Sequence, residues 1–504
     1  MLEEGGNALE AMVAMAAAAA AVYPHMNHVG GDAFWLMREP SGRVRAIMGA
    51  GPAGANATPA PYREHGFDEI PFRGPLAALT VPAAVATWTL ALLAAEAYGG
   101  KLPLDVLLAP AIRHAREGYK VTRSQARLTA EKLVECRDAP GFAQTFLIDG
   151  KPPAEGATLK QVALAATLDH LANAGLGDFY RGDVGREIAA DLERIGSPVT
   201  RADLERYQPK VAEPLSLTLQ AGTLYNTPPP TQGLASLIVL ALFERLRVTE
   251  GESFDHVHGL VEATKRALLI RDRVITDPEH LPHPPTRYLD NGFLDAEAAK
   301  IDRRKAAKWP APAGAGDTIW MGAADSSGLV VSFIQSLYWE FGSACVLPAT
   351  GVLMQNRGAS FSLERGALNP LQPGRQPFHT LNPALATLRD GRVMAYGTMG
   401  GDGQPQTQAA VFTRHVLYRQ PLEEAVERPR WLLGRTWGSP HTNLRIEQRF
   451  EGLIDRLLSA GHDVEVLPDD YSDTMGHAGA VVLHPDGTLE GVHDPRADGG
   501  AAGI

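Results

Sequence analysis

Basic residues are in the minority: 47 Lys and Arg against 58 Asp and Glu leave a formal net charge of −11. A nucleic-acid partner needs a basic surface that displaces counterions. No cluster of Lys or Arg interleaved with aromatics supplies one, so nucleic acid is excluded. Cysteine is nearly absent, with Cys136 and Cys345 alone. The pair lacks metal-ligand spacing and suits a reducing compartment without disulfide dependence; one bridge is open on sequence alone, and two free thiols are the expectation. Long apolar runs are missing too. The best candidate, residues 12–22, is too short to cross a bilayer and has no basic n-region or cleavage site. No membrane partner and a cytoplasmic location are therefore expected. The run is Ala-rich, follows Gly5-Gly6-Asn7, and predicts a helix buried on most sides. Because the chain starts almost on top of it, an upstream strand is expected to be missing, along with any targeting segment.

What is present is an ordinary globular composition, 45% hydrophobic and 21% charged. A chain of 504 residues would fill about three average domains or one large layered fold. Helical periodicity marks residues 92–98, 104–117, 159–173 and 185–195. Residues 226–233, Asn-Thr-Pro-Pro-Pro-Thr-Gln-Gly, predict a rigid extended stretch leading into a helix over 234–246. The sharpest change follows Lys308. Residues 309–316, Trp-Pro-Ala-Pro-Ala-Gly-Ala-Gly, read as an exposed linker. Beyond it strands dominate, at 318–324, 329–339 and 393–398, with a final hairpin of 479–484 and 489–493 around Pro485-Asp486-Gly487.

Asp317-Thr318 stands where the linker meets a strand. The turn Asp325-Ser326-Ser327-Gly328 folds that strand back on the next, and counting from the turn sets Thr318 opposite Ser336, give or take one residue. Opposed residues share a face, with Cβ atoms roughly 5 Å apart. An N-terminal threonine is a complete catalytic unit: its hydroxyl is the nucleophile and its α-amine, of pKa about 7.7–8.0, the base. An internal threonine lacks that amine, so the chain is expected to break between Asp317 and Thr318. The route is attack of the Thr318 hydroxyl on the Asp317 carbonyl, followed by ester hydrolysis. Gly400 and Gly401, within Gly397-Thr-Met-Gly-Gly-Asp-Gly403, present backbone N–H groups that can approach an oxyanion unobstructed.

Together these residues resemble the γ-glutamyltranspeptidase family of N-terminal nucleophile hydrolases over nearly the whole chain. Gly5-Gly6-Asn7-Ala8 through Gly30-Gly31 looks like the family's opening helix and glycine turn, and Pro228-Pro229-Pro230 with Gly233 like its proline motif. Gly316-Asp317-Thr318 and Phe341-Gly342-Ser343 fit its processing hairpin, and Gly400-Gly401 its oxyanion glycines. The resemblance implies an α+β fold, a four-layer αββα sandwich, made of a large subunit 1–317 and a small subunit 318–504 in one intertwined catalytic domain. Cleaved members are expected as one or two large–small pairs, without cofactor or metal.

Departures from the family pattern bear on substrate. Members acting on γ-glutamyl compounds hold the α-carboxylate with an Arg, where this chain has Ile47-Met-Gly-Ala-Gly51. They hold the α-ammonium with an Asp, where it has Gln355-Asn356-Arg357-Gly358. Their Ser-Ser pair is replaced by His379-Thr380, and Tyr338 stands in place of an Asn. Burying a doubly charged amino-acid head without partners would cost about 2–5 kcal/mol, so glutathione is a poor candidate. Residues 331–336, 378–382, 397–406 and 430–435 look instead like the oxamate amidohydrolase branch, which releases ammonia from a small carboxylate-bearing amide in purine-nitrogen breakdown. A cephalosporin-acylase-like amidase stays open. Under the oxamate reading His379, Thr380, Tyr338 and Arg357 line the substrate pocket, and His379, Arg357 or a backbone N–H holds the carboxylate. Two rivals compete. A metal hydrolase could draw on His25 with His28 or His256 with His258, but neither pair has an obvious third carboxylate ligand, and surface or cap positions are expected for them. A non-catalytic relative is opposed by the retained hydroxyls and glycines.

Overall fold

The computed structural model describes residues 1–309, 317–434 and 442–504, and of Asp317 the backbone. Most of the linker read at 309–316 and Arg435 of the 430–435 motif lie outside the described residues. Strands β1 (Asp32–Arg38), β2 (Val44–Gly49), β3 (Lys210–Ala212), β4 (Leu215–Thr218), β5 (Gly222–Asn226), β6 (Asp317–Ala324), β7 (Val330–Tyr338), β8 (Ala384–Leu388), β9 (Val393–Thr398), β10 (Ala478–Leu483) and β11 (Leu489–His493) build two sheets. One has the order β3-β2-β1-β7-β6 and the other β11-β10-β9-β8-β5-β4, with antiparallel neighbours throughout.

Side-chain alternation explains the layering. In β1, Ala33, Trp35 and Met37 enter one apolar core while Phe34 and Leu36 enter another. In β7, Val331 and Phe333 join the first core, Val330 and Ile334 the second. Since a strand's period is two, both faces of this sheet are covered. The second core lies between the sheets, where Leu385 of β8 and Val393 and Ala395 of β9 meet it. The far side of β9, Met394 and Tyr396, faces a third core.

Helices close the two outer faces. Helices α1 (Ala8–Val22), α2 (Ala84–Glu96), α3 (Leu104–Glu117), α4 (Val162–Ala174) and α5 (Asp183–Ile195) pack on the first sheet. Helices α6 (Gly233–Leu246), α7 (Phe254–Val274) and α8 (Gln404–Phe412) pack on the second. This is the expected four-layer αββα sandwich. Helix α1 is buried on most sides, as its Ala-rich run predicts, and a capping box starts it. The Asn7 side chain accepts from the Leu9 and Glu10 N–H groups, and Glu10 Oε2 accepts from Asn7 N.

Local sequence pattern and structure differ at three places, one being the periodicity at 159–173, whose start belongs to a short strand, Thr158–Leu159, while the helix begins at Val162. The periodicity at 92–98 is the tail of α2, which begins at Ala84; its first turns are buried nearly all round, which erases the amphipathic signal. The stretch 226–233 is not extended throughout. After Asn226 the chain turns at Pro229-Pro230, and Thr231 bridges to His379. Cys136 and Cys345 are both buried and unbridged. Among the described residues no helix is long and apolar enough to cross a membrane.

Candidate active site

The hairpin β6–β7 carries the register that the turn predicts. Gly328, with φ +90°, closes it by donating its N–H to Asp325 O at 3.1 Å. Ile319 faces Gln335, whereas Asp317 faces Tyr338, so Ser336 and Leu337 of β7 lie opposite Thr318 alone and the bulge is on β7. Bulges of this kind re-aim a side chain at the end of a ladder. The Thr318 hydroxyl donates to Ser336 Oγ at 3.2 Å, and both residues are buried. Ser336 Oγ also accepts from Tyr338 N at 2.8 Å. Tyr338 (φ +86°), Phe341 (φ +60°) and Ala344 (φ +61°) all hold the left-handed backbone, each at a cost of order 1–3 kcal/mol, and such strain concentrates at functional sites.

Strand β1 brings a carboxylate to this hydroxyl pair. Asp32 is the register partner of Ser336, and a Cβ on the preceding Gly31 would lie 2.2 Å from Ser336 O, so glycine permits the approach. Asp32 Oδ1 accepts from Gly51 N at 3.1 Å and Gln355 Nε2 at 2.9 Å. Its Oδ2 lies 2.9 Å from His379 Nε2, out of hydrogen-bond alignment. Burial raises the Asp32 carboxyl to about 7, against the pull of the Gln355 bond and of nearby Arg357. Burial also pushes His379 well below its ordinary value, with Arg357 adding to the effect, so its imidazole is neutral.

Arg357 completes the group. It opens a short 3₁₀ turn, is 1% exposed, and stacks over Tyr338 with its guanidinium carbon 3.8 Å from the ring centroid. Its Nη1 donates to Thr380 Oγ1 at a long 3.4 Å. Among the described residues its Nε and Nη2 have no hydrogen-bond partner. Burial lowers it to about 10, so it stays cationic at neutral pH. A buried guanidinium with open donors and no carboxylate hydrogen-bonded to it among the described residues is an anion-binding arrangement, because buried donors are rarely left unmet.

The glycines lie at the matching end of the second sheet. Trp320, two residues along from Thr318 on β6, packs where Gly397 of β9 and Gly479 of β10 leave room. Beyond Gly397, β9 runs out into Gly400 (φ +115°) and Gly401 (φ +53°), conformations that L side chains rarely adopt.

The hairpin therefore joins Thr318, Ser336 and Tyr338, and the loops bring Arg357, Thr380 and His379 beside Asp32. Sequence reasoning missed Asp32, although an Asp directly after Gly30-Gly31 at the start of an apolar strand is a legible signal. The histidine reading also needs correcting. His25, His28, His256 and His258 are buried rather than on the surface; His256 alone caps, its Nδ1 accepting from Glu252 N at 3.0 Å ahead of α7. Burial lowers His25 and His256 to about 3 and His28 to about 4. His258 does have a carboxylate partner: Glu262, one turn on, and His462 lie with it so that candidate ligand atoms fall within 4.8 Å of one another. Other bonds fill that cluster. Lys265 Nζ donates to Glu262 Oε1 at 2.7 Å, and Ala307 N donates to Oε2 at 3.1 Å. His258 Nε2 donates to Asp302 O, which leaves Nδ1 to accept from His462 Nε2, both at 2.8 Å. An ammonium already neutralises the carboxylate, and the group fastens residues 302–307.

Four layers with a threonine-led hairpin on the sheet edge define the architecture of the N-terminal nucleophile hydrolases. The chain belongs to the γ-glutamyltranspeptidase family: the family profile "Gamma-glutamyltranspeptidase" matches residues 1–504. It is thus an enzyme of a family of amide-bond hydrolases and γ-glutamyltransferases. It is 53% identical over 505 residues to the oxamate amidohydrolase proenzyme of Klebsiella pneumoniae, covering 100% of this chain and 95% of that one. It is 40% identical to the glutathione hydrolase-like YwrD proenzyme of Bacillus subtilis, covering 100% and 95%. Among solved structures, a cephalosporin acylase from Bacillus halodurans superposes with a TM-score of 0.90 at 31% identity, covering 99% of this chain and 92% of that one.

Proposed function

We propose that this chain cuts itself before Thr318 and that the Thr318 hydroxyl, with its freed α-amine as base, hydrolyses oxamate or a close carboxylate-bearing amide. The buried Arg357 with unmet donors beside the Thr318–Ser336 pair carries this reading. The hydroxyl adds to the amide carbon while the amine takes its proton. Gly400 and Gly401 N–H groups hold the oxyanion. The amine then protonates the departing nitrogen, ammonia leaves, and water releases oxalate from the ester on Thr318. Arg357 holds the carboxylate next to the reacting carbonyl, Tyr338 flanks the guanidinium, and Thr380 fixes it. His379 is turned towards Asp32, which leaves the substrate carboxylate to Arg357. The proenzyme relatives support a precursor that is cleaved, and cleavage before Thr318 divides it into 1–317 and 318–504. Both sheets mix strands from either side of that boundary, so the two pieces stay interwoven.

Ammonia or amine release from a panel of oxamate, glutathione, γ-glutamyl anilide and glutaryl amides tests the reading. Turnover of oxamate well above the others is expected. Turnover of glutaryl amides with none of oxamate would move the chain to the acylase reading, which the likeness to the cephalosporin acylase favours.

Asp32 supplies a second test. With its carboxyl raised to about 7, it is neutral below that pH and anionic above it. The anion competes for Arg357 and repels a substrate carboxylate, so KM for oxamate should rise with pH, by roughly tenfold between about pH 6 and 8. In Asp32→Asn this rise should vanish, while the rise of kcat with pH from the α-amine persists. An unchanged KM profile in the variant would remove Asp32 from the site.

A further inference from the structure

Gly400 and Gly401 have no side chains by which the fold could hold them, and the wall opposite, residues 378–380, is a loop between strands. One buried side chain touches both. Gln232, at the start of α6, donates its backbone N–H to His379 O at 2.9 Å. Its Nε2 donates to Thr380 O at 2.6 Å and to Gly401 O at 2.8 Å. Its Oε1 accepts from Arg271 Nη1 at 2.7 Å.

Arg271 decides which way the carboxamide faces. A guanidinium has donors only, so it takes the amide oxygen and turns the NH₂ group onto the two carbonyls. Arg271 lies on α7, is 1% exposed, and is itself held. Its Nη1 donates also to Asp402 Oδ1 at 2.7 Å, its Nε donates to Asp272 Oδ1 at 2.7 Å, and its guanidinium carbon lies 5.4 Å from the centre of the Phe378 ring. The knot therefore grips the glycine loop at Gly401 O and at the Asp402 side chain, and the opposite wall at His379 O, Thr380 O and the Phe378 ring. Distances across the pocket follow from it.

We infer that Gln232 and Arg271 are positioning residues that set the separation between the glycine loop and the Thr380 wall, and so the aim of the oxyanion donors at the substrate carbonyl oxygen when the Thr318 hydroxyl attacks. The inference rests on the proposed reading that Gly400 and Gly401 hold the oxyanion. Neither side chain is assigned contact with substrate. Their effect is on the rate of the chemical step, because misaimed donors lose stabilisation that exists only in the transition state.

Gln232→Glu is the sharpest test. The new carboxylate keeps Arg271 as a partner, so the fold should be retained, but an oxygen replaces the NH₂ group and repels Thr380 O and Gly401 O. With activity normalised to the cleaved fraction, kcat on oxamate should fall about 100- to 1,000-fold, the range for a lost oxyanion donor, while KM stays within about threefold. Self-cleavage of the precursor should slow alongside. Arg271→Lys is the conservative companion. It keeps the charge but one donor direction, and should recover part of the kcat lost in Arg271→Met, which a purely structural role for the ion pair, read by melting temperature, would not track. If Gln232→Glu does not fold, the Arg271→Lys and Arg271→Met comparison decides alone. A folded, cleaved Gln232→Glu enzyme with kcat within threefold of the parent would overturn the inference and leave the proposed function standing. A parent chain that neither cleaves nor releases ammonia would overturn the function itself.

Discussion

Thr318→Ala should run as one band at 54.0 kDa and release no ammonia from any amide. The parent chain should run as two bands, of about 34 and about 20 kDa, which divide 54.0 kDa in proportion to the lengths of residues 1–317 and 318–504. The two losses are expected together because one oxygen does both jobs. In the precursor the Thr318 hydroxyl attacks the carbonyl before it; in the mature enzyme the same hydroxyl attacks substrate and the new amine takes its proton. Removing a nucleophile of this type removes at least about 10⁴-fold of rate. The fold should survive: the hydroxyl's bond to Ser336 Oγ at 3.2 Å is worth about 1 kcal/mol, and Ser336 keeps its bond from Tyr338 N. Circular dichroism and a melting curve check that point. Thr318→Ser, which restores a hydroxyl, should restore both bands and some turnover. A cleaved, active Thr318→Ala protein would end the nucleophile reading at once.

Thr318 and Ser336 were legible because one hairpin joins them. The turn Asp325–Gly328 fixes a register, and register fixes which residues share a face. The bulge on β7 opposite Thr318 was not legible, since an extra unpaired residue leaves no mark in a pattern of alternation. Helix α3 is legible end to end, because Pro103 before it and Gly118 after it punctuate the chain. The start of α2 was lost for the opposite reason: burial on nearly every side leaves no polar stripe to count. The rest of the pocket joins segments far apart in sequence. Asp32 reaches Ser336 through the pairing of β1 with β7, and Arg357 and His379 arrive from separate loops. No local signal announces such meetings. Gln232 was in plain view beside Gly233 yet carried no message, because its role lies in four partners on other segments. Glu262 shows a signal within reach: it follows His258 by one helical turn, a spacing that puts both on one face, while His462 could come only from the fold.

Arg357→Met should raise KM for oxamate far more than it lowers kcat, with kcat/KM falling roughly 30- to 1,000-fold, as expected for a lost charge-assisted pair worth about 2–4 kcal/mol. The carboxylate is bound in the ground state and in the transition state alike, so its loss appears first in KM. An amide of similar size without a carboxylate should lose little, and the preference for oxamate over that amide should collapse. Arg357→Lys should fall between, because an ammonium keeps the charge but neither the two-pronged geometry nor the flat stack on Tyr338. Stability separates this role from a structural one. In the folded protein the guanidinium is 1% exposed, its Nε and Nη2 are unmet among the described residues, and burial lowers it to about 10. A buried charge without a matched partner weakens a fold, and replacing it with an apolar side chain of similar volume is neutral or stabilising. Arg357→Met should therefore melt no lower than the parent, and higher if the desolvation penalty outweighs the contact with Tyr338. Loss of oxamate binding with a retained or raised melting temperature would mark Arg357 as kept for its ligand; a lowered melting temperature with KM unchanged would return it to the scaffold and take the carboxylate anchor out of the proposed function.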